Sequence, residues 1–268
     1  MHHSDSATVT TVDTLAKLLD VCGELRASEQ VDERAVTGCS FDSRAVSAGD
    51  VFFCKGAAFK PAFLRMALDA GAVAFVCEES LVESLEPLAQ ESGAAMLVVD
   101  SVRTAMALLP PEVYDRPDHD VKIVGITGTK GKTTAAFMLQ SIIKAAGESC
   151  GMIGSVSTDD GIECYESTNT TPEAPEVWRH IANCRTSGRQ SMVMEVSSQA
   201  LKYQRVENLP FDVACFLNIG RDHISPIEHP TFEDYFESKL RIFDQAKTAV
   251  VNLGTEEVDR VLEAASAA

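Results

Sequence analysis

Two consecutive α/β domains, the second built around a phosphate-binding loop, are predicted by three features of this sequence. Short apolar runs alternate with helical patterns along most of its 268 residues. One such run leads directly into Gly128-Thr129-Lys130-Gly131-Lys132-Thr133-Thr134 and then an amphipathic helix. Residues 109–118 interrupt the alternation with three prolines and several charges, the composition of a linker. A boundary there divides the chain into domains 1–116 and 117–268.

In the first domain, apolar residues at helical spacing predict a helix over 12–25, and the run 50–54 predicts a strand. Residues 61–70 read as a helix, with Pro61 tolerated in the first turn and Gly71 as the stop. A buried strand over 72–77, a helix over 81–92, a strand over 95–99 and a helix over 101–109 follow. In the second domain the expected strands are 122–127, 191–196, 212–218 and 248–252. The expected helices are 132–146, 173–187 and 232–243. No internal repeat or low-complexity segment is visible.

Composition narrows the function classes. Hydrophobic residues make up 45% and charged residues 24%, which is ordinary globular usage and argues against disorder or coiled coil. No apolar run approaches the ~18 residues a membrane span needs. With 23 basic and 40 acidic residues the net charge is −17, which disfavours nucleic-acid and anionic-membrane partners. An anionic ligand must therefore be held by a local cluster of donors. Eight cysteines are scattered without C-x-x-C spacing and read as small buried hydrophobes of a reduced, cytoplasmic protein. The N-terminus has no basic-then-apolar signal-peptide pattern.

The phosphate loop carries the chemistry. Glycines let backbone N–H groups turn toward a phosphate, and the helix N-terminus adds positive potential. Lys132 would reach the β- and γ-phosphates, and the Thr133 hydroxyl would ligate Mg²⁺. The loop is a short G-x-x-G-K-T form from Gly128 to Thr133, since Ile126 replaces the first glycine of the longer motif. Glu195 ends an apolar strand, where such enzymes present a carboxylate to the metal. His223 follows another strand, and is a metal ligand, a base or a hydrogen-bonded structural residue. Lys239 lies on a helix opened by Thr231, and nothing in its spacing distinguishes it from a solvated surface lysine.

Together these segments resemble the Mur ligase family. The carrying motifs are Phe41-Asp42-Ser43-Arg44 with Gly49-Asp50-Val51-Phe52, and the phosphate loop. Further along come Asn169-Thr170-Thr171-Pro172, Met194-Glu195-Val196-Ser197-Ser198, Arg221-Asp222-His223 and Tyr235-Phe236-Glu237-Ser238-Lys239. They occur in the family's order over about three quarters of the chain. The short loop is shared with folylpolyglutamate synthases, whereas the D-S-R, N-T-T-P and E-V-S-S motifs point to the tripeptide-forming branch.

The resemblance implies a small N-terminal α/β domain that binds a UDP-sugar, followed by a P-loop α/β ATPase domain. It implies ATP-dependent addition of a diamino acid, such as L-lysine or meso-diaminopimelate, to UDP-N-acetylmuramoyl-L-alanyl-D-glutamate in peptidoglycan synthesis. Phe41 and Ser43 would hold the UDP end. Asn169, Thr170, Thr171, Ser197, Tyr203 and Arg205 would hold the muramoyl-peptide. Gly128, Thr129, Lys130, Gly131, Lys132, Thr133 and Thr134 would bind ATP. One Mg²⁺ would sit on Thr133 and Glu195, and a second on His223 and Lys239, the lysine being carbamylated by CO₂. Lys132, Glu195, His223 and Lys239 form the implied catalytic set, in a monomer.

Some positions depart from the family pattern. Gln199 stands where a His is usual, Tyr203 where some members have a substrate-contacting Gln, and the loops 55–59 and 224–230 differ. The family also has a third domain that selects the incoming amino acid, so the chain is expected to be the N-terminal part of a longer ligase, inactive by itself. Other expectations are a non-catalytic module that binds a nucleotide or UDP-sugar, or another Mur or folylpolyglutamate-type ligase.

Overall fold

The computed structural model describes residues 10–21, 25–27, 32–222 and 224–267. The chain divides into two compact units, Met1–Arg116 and Pro117–Ala268.

Unit 1 runs α1 (Val12–Val21), β1 (Leu25–Ala27), β2 (Gly38–Ser40), β3 (Asp50–Phe53), α2 (Pro61–Asp69), β4 (Ala74–Glu78), α3 (Val82–Ser92), β5 (Ala95–Val99) and α4 (Val102–Val113). The sheet order is β1-β5-β4-β3-β2, with β1 antiparallel to β5 and the other pairs parallel. Both faces are covered, so the central strands β3, β4 and β5 are largely apolar and their residues alternate between two cores. Val51, Phe53, Val76, Leu97 and Val99 pack with α1 and α4. Phe52, Phe75, Cys77, Met96 and Val98 pack with α2 and α3.

Unit 2 runs β6 (Lys122–Thr127), α5 (Lys132–Ala145), β7 (Cys150–Ile153), β8 (Ser157–Asp159), β9 (Cys164–Glu166), α6 (Ala174–Thr186), β10 (Ser191–Glu195), α7 (Ser198–Lys202), β11 (Val213–Phe216), α8 (Phe232–Leu240), β12 (Ala249–Val251) and α9 (Val258–Ala267). The sheet order is β12-β11-β6-β10-β7-β8-β9. The strands from β12 to β7 are parallel, and β8 and β9 add an antiparallel edge. Strand β6 is therefore central, flanked by β10 and β11. Loops leaving the carboxyl ends of these three strands converge, which is where open α/β sheets build their sites.

The α/β class and the alternation agree with the sequence, and the strands at 95–99 and 122–127 match residue for residue. Differences have local causes. The helix expected over 12–25 stops at Val21, and Leu25 already pairs with Val99 as an edge strand. The helix expected over 101–109 continues to Val113, through the proposed linker. Pro110, Pro111 and Val113 are buried there, so apolar burial outweighs the helix-breaking effect of proline. The chain turns instead at Asp115 and Arg116, both at positive φ. The helix expected over 232–243 becomes 3₁₀ from Arg241. Strands β2, β7, β8 and β9 are not among the expected strands; the three-residue β2, β8 and β9 carry polar residues and lack a continuous apolar run. The described cysteines are free, but Cys164 on the β9 edge is exposed and not a core residue. No described helix is long and apolar enough to cross a membrane.

Candidate functional site

The phosphate loop bridges β6 and α5. Gly128 has φ +155° and Gly131 φ +86°. A Cβ at Gly128 would come within 3.0 Å of Leu217, so both conformation and space call for glycine. The loop is held from β11: Asn218 accepts from the Lys130 amide at 3.0 Å, donates to the Lys130 carbonyl at 3.0 Å, and its own carbonyl accepts from the Thr129 amide at 2.9 Å. Lys130 pairs with Asp222 at 2.5 Å.

Two lysines meet on one carbonyl. Lys132 Nζ donates to Gly128 O at 2.9 Å, and Lys239 Nζ donates to the same oxygen at 3.0 Å. Lys239 is 1% exposed. Its amine is held well below its ordinary value by burial and then by Lys132 nearby. Burial also lowers Lys132, partly offset by Glu195. The lysine that spacing could not distinguish from a surface residue is thus among the most buried side chains of the unit. Tyr235, one turn before it on α8, donates to Thr129 Oγ1 at 3.1 Å and fastens that helix to the loop.

Glu195 closes β10 with no exposed surface. Its Oε2 accepts from Thr133 Oγ1 at 2.9 Å and from Ser155 Oγ at 3.2 Å, and its Oε1 accepts from the Ser155 amide at 2.8 Å. The hydroxyl and carboxylate predicted to share a metal are in direct contact. Both are hard oxygen donors of the kind Mg²⁺ takes.

Beside them opens a polar cavity of about 270 Å³ lined by Lys132, Thr168, Asn169, Thr170, Thr171, Ser197, Ser198, Gln199, Arg205, Glu228 and Lys239. Thr171 donates to the Glu195 carbonyl at 2.9 Å and accepts from the Ser197 amide at 3.0 Å. Ser197 caps α7 by accepting from the Ala200 amide. Arg205 donates to the Thr171 carbonyl at 3.1 Å and pairs with Glu173. Lys132, Lys239, Asn169, Thr170, Thr171, Ser197 and Arg205 therefore share one cavity. Tyr203 sits at the C-terminal cap of α7 and is not among the described lining residues. Thr134 is exposed on α5. His223 lies outside the described residues.

In unit 1, a cavity of about 370 Å³ is lined by Phe41, Asp42, Ser43, Arg44, Phe52, Lys55, Ala58, Phe59, Phe63 and Met66. Aromatic walls carry cationic groups at the edge. Lys55 Nζ stands 4.8 Å from the Phe41 ring centroid, and Arg44 is turned onto Asp42 at 2.6 Å.

Sequence reasoning did not single out Ser155, Asn218 or His229. Asn218 was discoverable, because a polar residue just past an apolar strand is the signal that marked Glu195. Ser155 and His229 stand in irregular segments without such a signal.

A glycine loop between a central parallel strand and a helix, with a carboxylate ending the neighbouring strand, defines a P-loop nucleotide-binding α/β protein. Residues 126–268 match the Mur ligase middle domain, and the chain belongs to the Mur ligase family. It is 37% identical over 263 residues to the UDP-N-acetylmuramoyl-L-alanyl-D-glutamate–L-lysine ligase of Streptococcus suis, covering 96% of this chain and 53% of that protein. It is 42% identical over 230 residues to the ligase of the same name from Enterococcus faecalis, covering 85% of this chain and 44% of that one. A UDP-N-acetylmuramyl-tripeptide synthetase of Latilactobacillus sakei is 41% identical over 235 residues, covering 86% and 44%. The chain spans about half the length of the curated relatives it matches. Among solved structures, a UDP-N-acetylmuramoyl-L-alanyl-D-glutamate–2,6-diaminopimelate ligase shares the fold with TM-score 0.76 at 22% identity, over 97% of this chain and 50% of that one. MurF from Acinetobacter baumannii does so at 0.68 and 20%, over 97% and 52%.

Proposed function

We propose that this chain supplies the UDP-sugar-binding and ATP-binding parts of a ligase that adds a diamino acid to UDP-N-acetylmuramoyl-L-alanyl-D-glutamate. The observation that carries the reading is the shared cavity, in which Lys132, Lys239 and Arg205 face Asn169, Thr170, Thr171 and Ser197 beside the phosphate loop. Relatives named as L-lysine ligases support lysine as the added residue. Domain 1–116 would bind the UDP end, with Phe41 against the base and Ser43 as a polar contact. Domain 117–268 would bind ATP and the peptide end.

In the proposed reaction the dipeptide's terminal carboxylate attacks the γ-phosphorus of ATP. The β–γ bridging P–O bond breaks, and an acyl phosphate and ADP result. The incoming amine then attacks the acyl carbon and expels phosphate, losing one proton. Lys132 releases Gly128 O and turns its ammonium to the transferring phosphoryl oxygens. Arg205 draws the substrate carboxylate toward the same point, against repulsion from the triphosphate. Such catalysis is mainly positioning and charge neutralisation. Thr133 and Glu195 fit one Mg²⁺, and Lys239 as a carbamate, with His223, would hold a second; these ions would offset phosphate charge. Burial lowers the Lys239 amine's pKa, which favours the neutral form that attack on CO₂ requires.

The test is phosphate release by the protein carrying this chain, given ATP, Mg²⁺ and UDP-N-acetylmuramoyl-L-alanyl-D-glutamate. Release that depends on L-lysine or meso-diaminopimelate is expected. No release with any diamino acid would sink the substrate assignment.

A further inference from the structure

Behind the cavity runs a line of polar side chains that the mechanism above does not use. His229 has no exposed surface, yet both ring nitrogens are engaged. Nδ1 lies 2.6 Å from Asp234 Oδ2, and Nε2 lies 2.9 Å from Ser198 Oγ. With a carboxylate on Nδ1, that nitrogen carries the proton, so Nε2 accepts from the Ser198 hydroxyl. Asp234 also pairs with Lys202 at 2.7 Å. Ser198 opens α7, Lys202 closes it, and Asp234 lies in the first turn of α8. The ring of His229 belongs to neither helix and ties one to the other.

Each helix faces a different partner in the site. Through Tyr235 and Lys239, α8 holds Thr129 and Gly128 of the phosphate loop. Tyr235 also packs edge-on against His229, with ring centroids 5.2 Å apart. The first turn of α7 presents Ser197, Ser198 and Gln199 to the cavity. We propose that His229 is a positioning residue for the ligation, a strut that keeps the peptide-binding wall on α7 in register with α8 and the phosphate loop. The proposal rests on the function given above.

The sequence Asp234–His229–Ser198 is also the order of a hydrolase triad. Two observations favour the strut. A base must become an imidazolium, and burial opposes that charge despite Asp234, with Lys202 and Lys239 opposing it further. Ser198 is itself 5% exposed, which leaves little room for attack on an acyl group.

The test compares Ser198→Ala, His229→Asn and His229→Gln in the ligase carrying this chain. His229→Asn keeps a donor for Asp234 but is too short for Ser198, whereas His229→Gln offers Ser198 an acceptor. Ser198→Ala and His229→Asn should each raise KM for UDP-N-acetylmuramoyl-L-alanyl-D-glutamate about tenfold, the size expected from one lost positioning hydrogen bond. The calorimetric Kd for Mg·ATP should stay within about twofold. The double variant should be no worse than the poorer single one, because both break the same link, and His229→Gln should recover part of the loss. Additive effects, equal loss of ATP affinity, or unchanged KM would overturn the strut. Covalent labelling of Ser198 by a fluorophosphonate would overturn it in favour of a nucleophile. Should the histidine variants not fold, Ser198→Ala decides alone. A wild type that releases no phosphate defeats the functional reading as well, whereas an active wild type with normal variants defeats the strut alone.

Discussion

Gly154→Ala should cripple Mg·ATP binding without touching ATP. Gly154 follows β7, and Glu195 occupies the space its missing side chain leaves. A Cβ there would stand 2.6 Å from Glu195 Oε1 and 3.4 Å from its Cδ, where ordinary contact is roughly 3.5–4 Å. The carboxylate has little freedom to retreat. It is fully buried and accepts from Thr133 Oγ1, Ser155 Oγ and the Ser155 amide at 2.9, 3.2 and 2.8 Å. Each hydrogen bond to a charged group is worth about 1.5–3 kcal/mol, and overpacking costs about 1–3 kcal/mol. The site will relax by giving up the weaker of these, so a perturbation of about 2 kcal/mol is expected. Disturbing the support of a metal ligand lowers metal affinity roughly 10- to 100-fold. Calorimetric titration of ATP should therefore show that loss in excess Mg²⁺, and a change of less than about threefold in EDTA. Equal affinity, or an equal loss with and without Mg²⁺, would refute the assignment of Glu195 to the metal.

Three further outcomes are expected. Lys132→Ala should lower phosphate release by about 10³-fold or more, because a preorganised charge at the transferring group is lost; an unaffected rate in a single-turnover assay excludes the phosphate role. Lys239→Met should abolish turnover yet stabilise the nucleotide-free protein near pH 7. An unfolded lysine binds its proton up to about pH 10.4, while burial and Lys132 lower the folded value. The unfolded state then binds more protons between the two values, so wild-type stability rises with pH and the advantage of Met shrinks. Urea unfolding at pH 7 and pH 9.5 measures this, and ¹³C NMR in bicarbonate with Mg·ATP should show a carbamate on the wild type only. Asp160→Asn should cost about 1–3 kcal/mol at pH 7, because its buried carboxylate pairs with His180 and accepts from Asn183 and the Ile162 and Glu163 amides. Burial raises Asp160, but bonds from His180, the Glu163 amide, Asn183 and the Ile162 amide outweigh it and hold the carboxyl far below its usual range. Its contribution is complete above about pH 4 and fades as pH falls toward the folded value, so wild-type and variant unfolding curves should converge in acid.

Legibility in the sequence followed the range of the interactions involved. Strands β5 and β6 are continuous apolar runs because both faces of their sheets are covered, and periodicity finds them. The phosphate loop is one contiguous segment whose glycines answer to a positive φ and a close approach to Leu217. Glu195 was legible from its place at a strand end. Strands β8 and β9 take three residues each, too few to carry a period, and exist because the hairpin adds to the edge of β7. The helix α4 outran its pattern because prolines that break an isolated helix were buried against the sheet. Lys239 was opaque for a deeper reason. Its neighbours in space, Gly128 and Lys132, are more than a hundred residues away in the chain, and no local window reports that a lysine points inward.

The two lysines at Gly128 also bear on how so acidic a chain would hold the proposed triphosphate. At −17 overall, the distant field repels an anion, so attraction has to arise within a few ångströms. Lys132 and the amides of the phosphate loop would provide it in a place largely closed to water, where charge interactions are stronger than at the surface. The same closeness is unfavourable for two ammoniums, and burial with repulsion from Lys132 lowers the pKa of the Lys239 amine. In the proposed reaction an arriving phosphate would remove that conflict for Lys132, and carbamylation would remove it for Lys239 by replacing the amine with an anionic group. On that reading the two lysines, both donating to Gly128 O, form a pair whose mutual repulsion the two ligands would relieve in opposite ways.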